Sequence, residues 1–176
     1  MTNCEIQTTR LILLPAREDH VDDLHRLWTD PWVRKFLWDD LVIAQEQSAE
    51  VVHSSLESFA RHGFGQWCVF LKEDSRLAGF CGLRLFGERN EVEILYALRP
   101  DLWGRGLAME AASAVLRWGF NECDLDRIYA GADPPNVASF RVIERLGMKF
   151  AGRRVIDEVE AIYYSIDKEE FSNRPD

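Results

Sequence analysis

Cysteine is scarce and scattered in this chain. Its four cysteines, Cys4, Cys68, Cys81 and Cys123, form no C-x-x-C pair, and no histidine lies at zinc-ligand spacing from them. The sequence therefore indicates neither a disulfide framework nor a metal site. We expect reduced, mostly buried thiols, as is typical of a cytoplasmic protein.

Positive charge and long apolar runs are also lacking. The chain has 21 Lys and Arg residues against 30 Asp and Glu residues, a net charge of −9. This balance disfavours nucleic acid as a partner, because such binding depends on neutralising many phosphates, and it favours cationic ligands. No segment approaches the ~18 apolar residues of a membrane span, and the first ten residues do not resemble a signal peptide. We expect a cytoplasmic protein with no membrane partner.

Repeats, low-complexity tracts and Pro/Gly/Ser-rich linkers are absent as well. The 176 residues are 47% apolar, 11% aromatic and 29% charged, which is close to the average of globular proteins. A chain of this length has room for one hydrophobic core. We therefore expect a single domain over residues 1–176, with a loose tail at about 172–176.

Helical periodicity is present in the first third of the chain. After a short strand at Arg10–Leu14, apolar residues recur at helical spacing from about Glu18 and again from Ala44 to Arg61. Between them, Asp30-Pro31 ends the first helix, and a short helical piece runs from Pro31 to Trp38.

The pattern then changes to that of β-strands. Three segments rich in β-branched and aromatic residues are separated by short polar turns, which predicts antiparallel neighbours: Gln66–Leu71, Arg76–Phe86 and Glu91–Leu98. A loop, a helix to about Asn121 and a strand at Arg127–Ala132 follow as a crossover unit, which is expected to be right-handed.

A helix from Val137 to Leu146 and two strands, Lys149–Ile156 and Val159–Asp167, complete the chain. We therefore predict a mixed α/β fold with a sheet of about seven strands. The sheet should be mainly antiparallel at first and parallel at the middle crossover.

The most informative segment is a glycine-bearing loop between a strand and a helix, which we call the glycine loop: Trp103-Gly104-Arg105-Gly106-Leu107-Ala108. Glycines allow successive backbone N–H groups to point inward, and the first turn of a helix adds a partial positive charge. Such a nest suits a pyrophosphate. The loop is neither a Walker loop nor a dinucleotide fingerprint. From these six residues alone, an anion site and an ordinary strand-to-helix turn are both open.

Four segments, by their order along the chain and their spacing, resemble the GNAT superfamily of acyl-CoA-dependent N-acetyltransferases. Within it they resemble the RimJ/RimL-like branch, which acetylates ribosomal-protein N-termini. The glycine loop is similar to the superfamily's phosphate loop, with Trp103 in place of the usual Gln or Arg. The other segments are Thr9-Arg10-Leu11-Ile12-Leu13, Glu93-Ile94-Leu95-Tyr96, and Asn136-Val137-Ala138-Ser139-Phe140 with Leu146-Gly147-Met148. The resemblance covers nearly the whole chain. It implies a mostly antiparallel sheet of about seven strands, flanked by about four helices, in which two strands splay apart.

The resemblance also implies that acetyl-CoA, as acetyl donor, binds in the cleft between the splayed strands. One strand would offer its peptide groups to the pantetheine and thioester, and the glycine loop would hold the pyrophosphate. Asn136 would bond the pantetheine arm, act as a helix N-cap, or do both. The residues expected to bind acetyl-CoA are Ile94, Leu95, Tyr96, Trp103, Gly104, Arg105, Gly106, Leu107, Ala108, Met109 and Asn136. Arg99 and Arg105 would add positive charge near the polyanionic CoA.

Acetyl transfer to a primary amine needs a base, because such amines have a pKa of ~8 at a protein N-terminus and ~10 on lysine. Glu93 is the candidate base, and the alternative is a solvent-facing strand glutamate. The tyrosine with which many family members protonate the CoA thiolate corresponds here to Ile143, so Ser139 is the candidate acid or orienting hydroxyl. Neither Cys81 nor Cys123 has an activating neighbour, which favours direct attack over an acetyl-cysteine.

The acceptor is the least determined part of the prediction. Trp32 and Trp38 lie on the first helices, which in the family flank the acceptor side of the cleft, and they either line an acceptor pocket or pack in the core. Acidic residues nearby, among them Asp39 and Asp40, suit a cationic amine. The branch favours a protein N-terminus, with polyamines, amino sugars and other small amines as alternatives. A non-catalytic acyl-CoA-binding regulatory module is the rival class, and a monomer or a homodimer is expected.

Overall fold

A twisted sheet with helices on both faces forms the body of the molecule. The computed structural model describes residues 4–87, 89–156 and 159–173. The sheet has eight strands, which are β1 (Ile6–Gln7), β2 (Leu11–Pro15), β3 (Gln66–Leu71), β4 (Leu77–Phe86), β5 (Glu91–Leu98), β6 (Arg127–Ala132), β7 (Lys149–Ile156) and β8 (Val159–Asp167).

Six α-helices accompany the sheet, which are α1 (Val21–Thr29), α2 (Pro31–Leu37), α3 (Gln45–His62), α4 (Leu107–Asn121), α5 (Val137–Arg145) and α6 (Lys168–Ser172). Short 3₁₀ turns at Glu18–His20 and Pro100–Leu102 precede α1 and α4. No helix of the described residues is both long and apolar enough to cross a membrane.

The strands lie in the order β1-β2-β3-β4-β5-β6-β8-β7, and every neighbouring pair is antiparallel except β5 and β6. The predicted α/β class, with its mainly antiparallel sheet and one parallel crossover, is confirmed. The structure adds β1, which pairs Ile6 with Leu13 of β2, and α6. Ser172, where we expected the loose tail to begin, is the last residue of α6, and residues 174–176 lie outside the described part of the chain.

Small residues bring α4 close to one face of the sheet. Ala111, Ala112 and Gly119 of this helix are fully buried or nearly so. A Cβ at Gly119 would lie 2.9 Å from the terminal methyl carbons of Leu83 and Ile128. The helix can approach the sheet this closely at Gly119 because that position has no side chain, while Val115, Leu116 and Phe120 fill the rest of the buried face.

The opposite face of the sheet is covered over part of its width by α1 and α3. Trp28 of α1 is buried and lies edge-on to Phe80 of β4, with ring centroids 5.6 Å apart. These helices pack on the β3–β4 side. The face that carries Phe80 also carries Glu93 of β5 and Tyr163 of β8. The cross-strand registers from β4 through β6 to β8 show this.

An ion-pair brace connects the N-terminal strands to the start of α4. The carboxylate of Glu110 accepts hydrogen bonds from the Thr8 hydroxyl at 2.6 Å, from the Arg10 backbone N–H at 2.8 Å and from Arg10 Nε at 2.6 Å. Arg10 Nη1 also donates to the carbonyl oxygen of Arg105, at 2.8 Å. Burial alone would raise the pKa of Glu110, but these hydrogen bonds from Thr8 and Arg10 outweigh it and hold the pKa below its ordinary value.

This brace predicts a pH-dependent contribution to stability. Because the pKa of Glu110 is lowered in the folded state, its contribution is complete above the ordinary glutamate pKa of about 4.3 and is lost as the pH falls through the lowered value. We expect Glu110→Gln to reduce the free energy of unfolding by about 1.5–3 kcal/mol near neutral pH, the usual contribution of hydrogen bonds to a charged group. The difference from the unaltered protein should shrink progressively in acid.

Urea denaturation at a series of pH values measures this effect. Glu50→Gln, on the exposed surface of α3, is the matched control and should change stability little at any pH. A difference for Glu110→Gln that stays constant down to strongly acidic pH would contradict the assigned brace.

Candidate active site

A gap opens between β5 and β6 in the middle of the sheet. The two strands register at a single pair, Glu93 with Tyr129. Beyond that pair β5 continues to Leu98 and β6 continues to Ala132. Because both strands run past their last contact, backbone polar groups at their facing edges are left for another partner.

The glycine loop lies after β5 and ends at the N-terminus of α4. Gly104 and Gly106 have φ of +75° and +73°, the left-handed conformation that favours glycine. Among the described residues, none accepts a hydrogen bond from the backbone N–H of Gly104, Arg105 or Gly106. The first turn of α4, from Leu107, adds N–H groups without intrahelical acceptors. Consecutive free donors of this kind are what an anion nest would need, so the predicted nest stays a prediction.

The side chains around the loop leave its surface open. A Cβ at Gly104 would have no atom within 4 Å. Trp103 is half-exposed, and its indole Nε1 donates to the Leu98 carbonyl oxygen at 2.8 Å, which ties the loop to the end of β5. Leu107 is buried, whereas Ala108 and Met109 are partly buried against the core. No side chain would therefore obstruct the approach of a phosphate group to the backbone at Gly104.

The nearby arginines carry less free positive charge than the sequence suggested. Arg99 donates to both carboxylate oxygens of Asp101, at 3.0 and 3.2 Å. Arg105 lies 3.6 Å from a carboxylate oxygen of Glu73. Both pairs are exposed, so each arginine is loosely compensated and free to turn toward a stronger anion.

Tyr96 connects the two sides of the cleft. It follows Ile94, which is buried, and Leu95, which is partly buried. Its hydroxyl donates to the Ser139 carbonyl oxygen of α5 at 3.3 Å, and burial raises the pKa of the phenol. The structure thus brings the predicted residues of β5 together with those at the start of α5.

Asn136 is the N-cap of α5. Its side-chain oxygen accepts a hydrogen bond from the Ser139 backbone N–H at 3.2 Å. Ser139 is partly buried one turn before Ile143, which is fully inside the core. The position of Ile143 is therefore filled by an apolar packing residue, and no side-chain proton donor stands there.

Glu93 is a buried carboxylate at the point where the gap begins. It is only 2% exposed, and its Oε1 lies 2.6 Å from Arg84 Nε and 2.5 Å from Arg84 Nη2. Glu91, on the same face, is paired with Arg154 at 2.6 and 3.2 Å. Glu93 is therefore not a solvent-facing strand residue.

Trp32 and Trp38 lie in different environments. Trp32 is 65% exposed on α2. Trp38 lies edge-on to Trp28 with ring centroids 6.0 Å apart, and its buried indole Nε1 has no hydrogen-bond partner among the described residues. Packing explains most of the position of Trp38, while nothing within the described chain covers most of Trp32.

An acidic pair stands near the end of β6. Burial raises the pKa of Asp133, and the negative charge of Asp39 raises it further. Asp39 itself belongs to the α2–α3 loop and has a φ of +51°. This pairing brings the predicted acidic loop toward the residue that follows β6.

Sequence reasoning missed four residues that shape the site: Arg84, Asp133, Arg154 and Tyr163. Arg84 is the cross-strand partner of Glu93, and Arg154 reaches Glu91 from a strand over sixty residues away. A correct register for β4 and β5 would have found Arg84. The other contacts depend on strands that are distant in sequence.

The cysteine side chains do not form a reactive centre. None of the four cysteines, all of which lie in the described part of the chain, forms a disulfide. Burial, with smaller contributions from Asp19 and Asp23, raises the pKa of Cys68 to about 12. Burial also raises the pKa of Cys81 and of Cys123. Within the described ranges, no three His, Cys, Asp or Glu side chains are grouped so as to hold a metal ion.

Comparison with known proteins identifies the family. A model described as an acetyltransferase (GNAT) domain matches residues 10–149. The N-acetyltransferase YnaD of Bacillus subtilis is 28% identical over 174 residues, covering 95% of this chain and 99% of its own. A GNAT-family acetyltransferase structure from Bacillus anthracis aligns with a TM-score of 0.79 and 26% identity, covering 94% of this chain and 99% of its own.

A further structure shares the fold. It is a Salmonella typhimurium acetyltransferase, described as modifying the N-terminal serine of a 50S ribosomal subunit protein. It aligns with a TM-score of 0.79 and 22% identity, over 93% of this chain and 98% of its own. Together with the gap between β5 and β6 and the glycine loop, the family match leads to one conclusion. This chain belongs to the GNAT family and is an acetyl-CoA-dependent N-acetyltransferase.

Proposed function

We propose that this enzyme transfers the acetyl group of acetyl-CoA directly to a primary amine in a ternary complex, with Glu93 as base and a protein N-terminus as the acceptor. The observation that carries the proposal is the position of Glu93, a buried carboxylate on the last paired residue before the gap. A base at that place stands beside any amine that approaches the gap from the open face of the sheet.

Acetyl-CoA, a substrate here, fits the free backbone donors described above. The amides of the glycine loop and of the first turn of α4, through Met109, would hold the pyrophosphate. The edge of β5 at Ile94, Leu95 and Tyr96 would face the pantetheine and thioester, with Asn136 beside the pantetheine. Backbone N–H groups of this strand would stabilise the negative charge that develops on the thioester oxygen.

The base acts before the new bond forms. Glu93 takes one proton from the ammonium form of the acceptor, and the nitrogen lone pair then attacks the thioester carbon. The C–S bond breaks as the carbonyl re-forms. The nitrogen then gives up its second proton, which reaches the CoA thiolate through water or through the Ser139 hydroxyl, so that neither relay group is left ionised. A thiolate with a pKa of ~8.5 is a good leaving group, so the absence of a tyrosine at Ile143 does not prevent turnover.

Arg84 lowers the free-energy cost of burying the Glu93 carboxylate. An uncompensated carboxylate in this position would be costly, and the guanidinium supplies the opposite charge. The Arg84 side chain is itself 56% exposed. It can therefore move aside when an acceptor ammonium reaches Glu93.

The choice of a protein N-terminus rests on three supports. A fold neighbour is described as acting on such an acceptor, the net charge of −9 favours a cationic one, and Asp39 with Asp133 adds local negative charge. Trp32, which is exposed, and Trp38 would border the acceptor. We also propose that residues 1–176 form one domain of a cytoplasmic protein, monomeric or homodimeric. The four cysteines, none of which is in a disulfide among the described residues, support the location.

The role of Glu93 predicts a large loss of turnover on its replacement. Glu93→Gln keeps the shape but removes the base, and we expect kcat to fall by about 10²–10⁴-fold while acetyl-CoA affinity stays unchanged. Steady-state kinetics by thiol release and calorimetry with CoA measure the two quantities. Glu50→Gln, which removes an exposed carboxylate of α3, is the control. Equal, small effects of both variants would rule out Glu93 as the base.

The role of the glycine loop predicts a loss of CoA affinity. Gly106→Asp places a side chain and a negative charge against the nest, so the Kd for CoA should rise at least about tenfold through like-charge repulsion and obstruction. Gly87→Asp is the control, because Gly87 also has a positive φ, +65°, but lies in the β4–β5 turn. Titration calorimetry compares them, and matching affinities would contradict the loop assignment.

The acceptor class is tested by a thiol-release screen with three panels: N-terminal peptides, polyamines and aminoglycosides. We expect turnover with peptides that carry a free α-amine and none with the same peptides after N-terminal blocking. Faster turnover of a polyamine or an aminoglycoside would replace the protein N-terminus by that small amine. Tight CoA binding without thiol release from any panel would contradict the proposed reaction.

A further inference from the structure

Tyr163 lies across β6 at the edge of the gap. In the β6–β8 register Tyr163 is directly opposite Gly131. A Cβ on Gly131 would come within 2.9 Å of Tyr163 Cε1 and Cζ and within 3.2 Å of its hydroxyl oxygen. The ring therefore occupies the space that any larger residue at position 131 would need. Gly131 stands two residues beyond Tyr129, the last residue of β6 that pairs with β5.

The hydroxyl of Tyr163 is on the same face of the sheet as Glu93. The core side of β6 is formed by Ile128 and Ala130, which are buried against α4 and α5. Tyr129 and Gly131 alternate with them and face the other way. The charge of Glu93 acts on the Tyr163 hydroxyl. The candidate base and this phenol thus border the same side of the opening.

Neighbouring side chains clamp the ring. Phe86 stacks on it with centroids 5.4 Å apart and an interplanar angle of 2°. The guanidinium of Arg154 lies 4.8 Å from the ring centroid and is fixed in turn by its pair with Glu91. A ring held by Gly131, Phe86 and Arg154 has little freedom to turn, so its hydroxyl is preorganised.

The hydroxyl itself is available for bonding. Tyr163 is only 5% exposed, yet its hydroxyl forms no hydrogen bond within the described portion of the chain. Burial, with the charge of Glu93 adding to it, raises the pKa of this phenol to about 12. The group therefore stays protonated at neutral pH, with one hydrogen to donate and two lone pairs to accept.

We propose that Tyr163 binds the acceptor amine: after Glu93 has taken one proton from the ammonium form, the Tyr163 hydroxyl oxygen accepts a hydrogen bond from one N–H of the neutral amine and orients the nitrogen lone pair toward the thioester carbon. This inference rests on the proposed function, because it needs an amine at the gap. Tyr163 gains and loses no proton in the step. A phenol that holds its proton so firmly is a poor acid toward a thiolate with a pKa of ~8.5, which favours orientation over proton donation.

The test compares Tyr163→Phe with Tyr164→Phe. The first removes only the hydroxyl and leaves the ring packing on Phe86 and Arg154. The second removes the hydroxyl of the next residue, which faces the core side and packs near Phe140 and Phe150 at 5.9 and 6.1 Å. We expect kcat/KM for the best amine to fall about tenfold in Tyr163→Phe, the usual effect of one lost hydrogen bond. The change should appear mainly in the acceptor KM.

Two further readouts separate a binding role from a structural one. The KM and Kd for acetyl-CoA and the denaturation midpoint of Tyr163→Phe should match the unaltered enzyme. Gly131→Ala should also raise the acceptor KM, because it displaces the ring, and it should add little in the Tyr163→Phe background. Such non-additivity in a double-mutant cycle is the signature of a shared contact.

The outcomes distinguish this inference from the proposed function. If the unaltered enzyme acetylates an amine and Tyr163→Phe stays within twofold of it, the inference is overturned and the proposed function stands. The inference is likewise overturned if acceptor and acetyl-CoA parameters fall together, or if Tyr164→Phe has an equal effect. If the unaltered enzyme releases no thiol with any amine, both are overturned.

Discussion

The site depends on the single pairing between β5 and β6. An eight-stranded sheet satisfies its backbone groups by continuous ladders, and this one interrupts its ladder after Glu93 and Tyr129. The interruption lies at the only parallel neighbour pair of the described strands, where the chain crosses over through α4. Unpaired strand edges inside a protein are costly unless another molecule satisfies them. We propose that the thioester arm of acetyl-CoA binds these unpaired edges.

Ion pairs on the open face of the sheet compensate the negative charges of the glutamates beside the gap. Each glutamate of β5 that points to the face is matched by an arginine from another strand, Arg84 for Glu93 and Arg154 for Glu91. The guanidinium of Arg154, on β7, also lies over three aromatic rings, those of Phe86 on β4, Tyr129 on β6 and Tyr163 on β8. The Arg154–Glu91 pair therefore links the two halves of the sheet beside their single registered backbone pair, whereas Arg84–Glu93 joins neighbouring strands of one half.

The glycine loop has a comparable support on the other face. Its conformation leaves donors free, and free donors do not stabilise a loop. Arg10 compensates for this by binding the loop carbonyl of Arg105 and the Glu110 carboxylate of α4 together. The N-terminal strand thus positions the nest without occupying it, because the contacts use the carbonyl side and leave the N–H side open.

The sequence by itself determined the elements and the chemistry of their termini. The strands from Gln66 to Asp167 begin and end within a residue of prediction, because turn residues bound runs of clear period. The glycine loop was recognisable because two glycines close together between a strand and a helix favour a backbone with inward-pointing N–H groups. Strand β1 was missed, since two residues carry no period. Only the tertiary structure decided that Glu93 is buried beside Arg84 and that Tyr163 lies across Gly131. The period of a strand indicates which face of the sheet a side chain is on. It does not indicate which side chains contact that residue, because these come from strands that are distant in sequence.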